Sequence, residues 1–180
     1  MAAVDAQVVR AVLGGDTEAF GVLVDRYHER CLRLALHILG SREDAEDAVQ
    51  ESFLRAYRYL GGYREREKFA AWLYRILVNQ CRTMLARRNR REVPMASWEW
   101  DTTAAIDVAG SELGALRDEL ARALDSLSDD QREAVVLRFA EELTYDEMSA
   151  ITGAGVSALK MRVQRACTRL RELLLESSHA

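Results

Sequence analysis

The chain has one proline, Pro94, and only ten glycines among its 180 residues. That shortage of turn formers argues against a loop-rich β-sandwich, which needs a turn signal every few residues. Cys31, Cys81 and Cys167 are odd in number and far apart. They exclude a disulfide framework and a paired-cysteine metal site, and make a reducing cytoplasm the expected location. His28, His37 and His179 cannot build a metal site with those cysteines, so no metal or other cofactor is expected. The longest uncharged run, residues 148–159, is too short to span a membrane, so no membrane insertion is expected. Asp5 precedes any apolar run, and the N-terminus does not read as a signal peptide. Lysine is nearly absent: Lys68 and Lys160 are the two among 25 basic residues, and arginine's planar fork suits phosphates and base edges.

What remains is 49% hydrophobic and 30% charged, enough to bury a core in one ordinary domain or two small ones. The formal charge of −4 argues against a nucleic-acid partner only until its distribution is read. Residues 1–52 carry a net −5, residues 53–91 a net +9, residues 92–131 a net −8, and residues 155–180 a net +3. Two basic stretches flank an acidic one, and local density rather than the total decides phosphate binding.

The hydrophobic period is helical. Phe20, Leu23, Val24, Tyr27, Cys31, Leu34, Ala35 and Ile38 recur at steps of three and four, with Asp16 as N-cap and Gly40 as terminator. Ser41 caps a second helix through about Tyr59, and its first turn holds Glu43 and Asp44, where the helix dipole favours anions. Gly61 and Gly62 end it; residues 63–68 read as a charged loop and 69–90 as a third helix. From Arg91 to about Ser111 the stripe disappears. Helices resume over about 112–127, then behind capping boxes at Ser128/Gln131 and Thr144/Glu147, and finally over 156–175. The expected fold is all-α: two small helical domains, 1–91 and 112–180, joined by a flexible acidic linker, 92–111.

In the second domain a short helix over 144–151, a glycine-bearing turn and a basic amphipathic helix spell helix-turn-helix. Its second helix must enter the major groove with donors outward and apolar residues inward. Lys160, Met161, Gln164 and Arg165 fall opposite the Leu159/Val163/Leu170 stripe, with lysine and arginine suited to guanine edges and glutamine to adenine. In the first domain, aromatics interleave with Arg55, Arg58, Arg64, Arg66, Lys68 and Arg75, a mixture suited to single-stranded DNA. Helical spacing assigns Phe53, Tyr57, Phe69 and Trp72 to the core and leaves Tyr63 as the exception. The bland alternatives are a solvated basic face and an ordinary helical bundle.

Enzymatic readings fail. His28-Glu29 begins like a zinc-protease motif, but Leu32 stands where the second histidine belongs. No phosphate-cradling glycine loop and no nucleophile elbow occur. The acids Glu43, Asp44, Glu46, Asp47 and Glu51 carry too much like charge to be buried, and read as a solvated or protein-binding face.

Taken in order, DAEDAVQESFLRAY at 44–57, FAAWLYRILVN at 69–79, LSDDQREAV at 127–135, YDEM at 145–148 and KMRVQRA at 160–166 resemble bacterial sigma factors of the extracytoplasmic-function group. The resemblance covers about residues 5–175 and implies a non-enzymatic factor that binds core RNA polymerase and directs it to promoters. It implies a core polymerase-binding face of Asp44, Asp47, Gln50, Glu51 and Leu54, and minus-ten contacts from Tyr63, Arg64, Arg75, Asn79 and Arg82. Minus-thirty-five contacts fall to Ser157, Lys160, Met161, Arg162, Gln164 and Arg165, with Arg162 placed to meet phosphate. An anti-sigma protein is implied by family habit. The sequence departs from the family pattern where Ser157-Ala158-Leu159 replaces a glycine-threonine-valine opening, where Met161 replaces a small polar residue, and where Cys167 replaces an arginine. The linker's acids and its Trp98 and Trp100 suggest a segment that threads a basic polymerase channel. Two readings from other classes stand beside this one. A free-standing helix-turn-helix regulator leaves the acidic helix unexplained, and a protein-binding bundle leaves both basic stretches unexplained.

Overall fold

A computed structural model describes residues 2–64, 68–90 and 112–177; the linker, and the middle of the charged loop after Tyr63, lie outside the described residues. Every regular element among those residues is helical. They are α1 (Ala2–Leu13), α2 (Phe20–Leu39), α3 (Arg42–Tyr59), α4 (Phe69–Arg90), α5 (Glu112–Asp125), α6 (Asp129–Val135), α7 (Tyr145–Thr152) and α8 (Val156–Ser177).

The ends of these helices have local causes. Asp16 accepts from the amide of Ala19, 3.2 Å, and caps a short 3-10 turn that leads into α2. Gly40 ends α2 at φ 69°, a left-handed geometry that glycine adopts without a Cβ penalty. Ser41 Oγ accepts from the amide of Asp44, 3.3 Å, and satisfies one of the orphan donors of α3. A 3-10 turn over Leu60–Gly62 closes α3. In the second half, α6 gives way after Val135 to a π-helical segment, Val136–Ala140.

The first domain packs α2, α3 and α4 around Leu23, Leu34, Ala48, Leu73 and Leu77, all fully buried. Each of the four leucines contributes roughly 1.5–3 kcal/mol relative to exposure. The short α1 is held by a charge. Asp5 is buried, pairs with Arg26 and accepts from the Tyr27 hydroxyl at 2.7 Å. Burial first, then the contact with Asp5, raises the Tyr27 pKa and keeps the phenol a donor. In the second domain Arg132, 3% exposed, donates to the carbonyls of Leu124 and Asp125, each at 3.1 Å. A cation thereby sits on the C-terminal carbonyls of α5, where the helix dipole favours it.

The two domains share apolar packing. Leu137, Met148, Ile151, Leu159 and Val163 belong to the same buried cluster as the first domain's core, with α7 against α4 and α6 against α2. A smaller cluster, Leu124, Leu127, Val135 and Ala166, joins α5 and α6 to α8.

The aromatic assignments need correction at three places. Phe53 and Phe69 are buried as expected, but Tyr57 is 42% exposed, resting edge-on against Phe20 at 5.2 Å. Trp72 is half-buried. Tyr63, expected outside the core, is half-buried against Phe69 and Trp72 at 5.6 and 5.4 Å. Position along α3 explains the first case: Phe53, Ala56 and Leu60 hold the inward line, and Tyr57 falls at its edge.

Candidate nucleic-acid and protein interfaces

The helix-turn-helix is built from caps. Thr144 Oγ1 accepts from the amide of Glu147, 3.3 Å, while Glu147 Oε2 accepts from the amide of Thr144, 3.0 Å, and from its hydroxyl, 2.9 Å. The Thr144 amide, then Lys68, then the Thr144 hydroxyl hold the Glu147 pKa down to about 2. Gly153 ends α7 at φ 73°, and the Ser149 hydroxyl donates to the carbonyl of Ala154, 2.8 Å, fixing the turn. Helix α8 then buries Leu159, Val163 and Ala166 and leaves Lys160, Met161, Gln164 and Arg165 exposed.

That exposed face is ordered by its neighbours. Two cations lie over the Tyr145 ring, Arg138 at 5.4 Å and the Lys160 ammonium at 5.7 Å from its centroid. Such contacts contribute about 0.5–1 kcal/mol each at exposed sites and restrict where the lysine points. Met161, Gln164 and Arg165 share a shallow concavity with Thr168, Arg169 and Glu172. Ser157 is exposed at the first turn of α8. Arg162 is held in an ion pair with Asp130 at 2.8 Å, so a phosphate would have to displace that partner.

On α3, Asp47 and Gln50 are exposed, Asp44 and Glu51 half-buried, and Leu54 is 45% exposed. Asp47, Gln50, Glu51 and Leu54 line one groove with Arg55 and with Gln80, Met84 and Arg87 of α4; Asp44 lies outside its walls. Glu51 accepts from Arg55 at 2.7 Å, and this bond holds its carboxyl below the usual range. The Gln80 side-chain oxygen is buried in the groove wall with no hydrogen-bond partner among the described residues.

The remaining group divides. Arg64 and Asn79 are exposed. Arg75 and Arg82 instead cross to the second domain. Arg75 Nε donates to the carbonyl of Ala150 at 2.8 Å, and Arg82 forms a bidentate pair with Glu133 at 2.8 Å on both oxygens. Arg82 also donates to the carbonyl of Thr152, 2.9 Å. Burial pushes the Glu133 carboxyl above its ordinary range, and the Arg82 hydrogen bond opposes that shift. Glu133 had no assigned role in the sequence; its one signal is a carboxylate set directly before the apolar run Ala134–Leu137.

Two helical domains, the second carrying a helix-turn-helix with a polar, arginine-bearing face, define a DNA-binding protein of all-α build. Comparison with known proteins makes this specific. Residues 23–91 match the family model for sigma-70 region 2, and residues 117–170 that for sigma-70 region 4. The chain is 33% identical to the RNA polymerase sigma-H factor of Pseudomonas aeruginosa over 172 residues, 90% of this chain and 89% of that one. It is 35% identical to the ECF RNA polymerase sigma-E factor of Salmonella typhimurium, with 90% of each covered. Among solved structures, the sigma factor RpoE bound to the anti-sigma factor NepR from Bartonella quintana superposes with a TM-score of 0.71 at 26% identity, covering 86% of this chain and 96% of that one. CnrH in complex with the cytosolic domain of CnrY superposes at 0.67 and 25% identity, covering 93% and 94%. The chain belongs to the sigma-70 family, in its extracytoplasmic-function group, and its function lies in transcription initiation. Among the described residues no helix is long and apolar enough to cross a membrane, and no cluster of metal-ligating side chains occurs.

Proposed function

We propose that this chain brings core RNA polymerase to selected promoters by dividing three tasks between domains at 1–91 and 112–180, with 92–111 as the connection. The α3 face of Asp44, Asp47, Gln50, Glu51 and Leu54 docks on the polymerase. The start of α4 and the loop before it, with Tyr63, Arg64, Arg75, Asn79 and Arg82, take the melted minus-ten strand. Helix α8 reads the minus-thirty-five element through Ser157, Lys160, Met161, Gln164 and Arg165, with Arg162 reaching phosphate. The chain does no chemistry itself; the polymerase does, in the cytoplasm. An anti-sigma protein is a fitting regulator, since the solved relative RpoE is bound to one, NepR.

The observation that carries this reading is the face of α8. Lys160, Gln164 and Arg165 are exposed together, opposite a stripe buried by Leu159, Val163 and Ala166. Donors in that arrangement suit base edges in a major groove. The test is transcription by core polymerase reconstituted with this chain on a library of promoter fragments. The expected result is a set of start sites sharing one upstream element, with Arg165→Ala relaxing selection at one base pair of it by about 1–3 kcal/mol. Equal loss on every sequence would refute base reading by Arg165. Specific duplex binding without polymerase, and no core-dependent initiation, would favour a free-standing regulator instead.

A further inference from the structure

Among the donors of α8 stands one large apolar side chain. Met161 is 52% exposed, whereas Met148 is fully buried and Met84 half-buried. A single exposed apolar residue needs no explanation by itself. Its neighbours give this one a meaning. Met161 precedes Gln164 and Arg165 by three and four residues, and these precede Thr168 by four and three, so all four share one face of α8 and line one shallow concavity. Other groups around that concavity are already engaged. The Thr168 hydroxyl donates to the carbonyl of Gln164 at 3.1 Å, and Arg169 pairs with Glu172 at 3.6 Å. Lys160 lies over the Tyr145 ring of α7 and stays outside the concavity, and Arg162 is turned to Asp130. The first side chain that α8 brings to the concavity is therefore a thioether, with an amide and a guanidinium directly behind it.

The major groove has a partner for each of these groups. Every base pair displays hydrogen-bonding atoms there, and thymine adds a C5-methyl group. Arg165 suits guanine; Gln164 suits adenine, and an adenine brings thymine as its partner. Methionine carries no charge and no strong donor or acceptor, and its unbranched, polarizable chain closes readily over a small apolar group. Four residues of helix rise about 6 Å and each stacked base pair about 3.4 Å, so Met161 and Arg165 reach pairs no more than about two apart.

We propose that Met161 reads the C5-methyl group of a thymine in the minus-thirty-five element, within about two base pairs of the guanine met by Arg165. The proposal rests on the assignment of α8 to that element. It adds the chemistry by which one position is chosen: thymine is preferred to cytosine there because its methyl group is buried against the thioether.

The test measures binding of holoenzyme, core polymerase with the full chain, to a promoter taken from the fragment library and altered one base at a time. Uracil in place of thymine removes the methyl group and keeps every hydrogen-bonding atom. At one thymine of the upstream element this exchange is expected to weaken wild-type binding about fourfold, the effect of one buried carbon group. Met161→Ala should bind the thymine and uracil promoters equally, and Met161→Leu should keep the preference. With cytosine at that position, 5-methylcytosine should recover about fourfold for wild type and nothing for Met161→Ala. The side chain is exposed, so neither substitution is expected to move the melting temperature. Wild type indifferent to uracil at every thymine of the element would overturn the proposal. So would a Met161→Ala holoenzyme that binds more weakly yet still separates thymine from uracil as wild type does, since its methionine then packs elsewhere on the DNA. Failure of the underlying assignment has a separate sign: start sites in the library would share no upstream element, and the proposal would fall with it.

Discussion

Helices α4 and α8 are each 22 residues long, and both lie in basic stretches of the chain, yet they present their charge in opposite ways. On α8 the donors Lys160, Gln164 and Arg165 stand exposed. On α4 Arg75 and Arg82 face the other domain, bound to carbonyls and a buried carboxylate. Charge density along a sequence therefore measures how much phosphate a surface could hold, and the fold decides how much of it is on offer. The difference has a cost: a surface already paired must lose those pairs before it gains new ones.

The largest effect should come where the two regions cease to be separate. Met148 lies on α7, is fully buried, and belongs to the cluster that also contains Leu73 and Leu77 of α4. Met148→Ala is expected to cost about 2–5 kcal/mol, from lost transfer energy and the cavity left behind. Calorimetry should show the whole molecule affected in one transition. If the first domain melts at its original temperature, the apolar contact does not couple the two.

Next comes the contrast between the helices themselves. Arg82→Ala leaves Glu133 buried without its partner, a loss of up to about 3 kcal/mol that opening of the interface can limit. Burial already raises the Glu133 pKa, and removing Arg82 removes the hydrogen bond that opposes the rise. A carboxyl whose folded pKa lies above its unfolded value destabilises the fold when ionised and ceases to do so as pH falls through the folded value. The penalty of Arg82→Ala should thus be largest at pH 8 and shrink toward pH 5 in chemical denaturation. Arg165→Ala, on the exposed face, should change stability by no more than about 0.5 kcal/mol at either pH. Equal destabilisation by the two would erase the contrast.

Much of this architecture was legible in the sequence. The bounds of α2, α3 and α4 follow from Gly40, Ser41 and the period of their apolar residues, and both capping boxes occur where Ser128/Gln131 and Thr144/Glu147 put them. Helix α1 was not legible. Its anchoring contact is Asp5 with Arg26 and Tyr27, some 20 residues away, and local periodicity carries no trace of an ion pair. The π-helical segment after α6 was also hidden, because Val136–Ala140 is as good a helical pattern as its neighbours. Within the candidate sites, exposure of the α8 face followed from its stripe. The engagement of Arg75 and Arg82 did not, since their partners lie 51 to 75 residues further on and are matched only by the packing of the domains.

A smaller effect on stability should accompany the docking face. Asp47 is exposed, and the Glu51–Arg55 pair is an i,i+4 contact on a helix surface, the kind that solvent and salt screen and that contributes little to stability. Asp47→Ala with Glu51→Ala should leave the melting temperature nearly unchanged while weakening capture of core polymerase. Early unfolding, with normal core binding by the fraction still folded, would assign these acids to the fold.

Another small effect lies at the outer edge of the contact between the regions, at Glu147. Its carboxylate has two jobs: it caps α7 through Thr144, and it meets Lys68 of the first domain. Those contacts hold its pKa at about 2 against an ordinary 4.5. A carboxyl with a depressed folded pKa stabilises the fold in full above its unfolded value and loses that contribution as pH falls toward the folded one. Glu147→Gln should therefore cost under about 1 kcal/mol at pH 7, because the site is solvent-screened, and the cost should fade between about pH 4.5 and 2. Salt separates the two jobs. At about 1 M the Debye length falls to roughly 3 Å, so the exposed pair with Lys68 is screened, while the short bonds to Thr144 remain. Chemical denaturation of wild type and Glu147→Gln at low and high salt should thus leave most of the difference intact. If the difference vanishes in salt, the carboxylate serves the contact between the domains and its cap is incidental; if it survives undiminished, Lys68 contributes nothing, and the polar part of that contact rests on Arg82, Arg75 and the Tyr74–Glu141 bond.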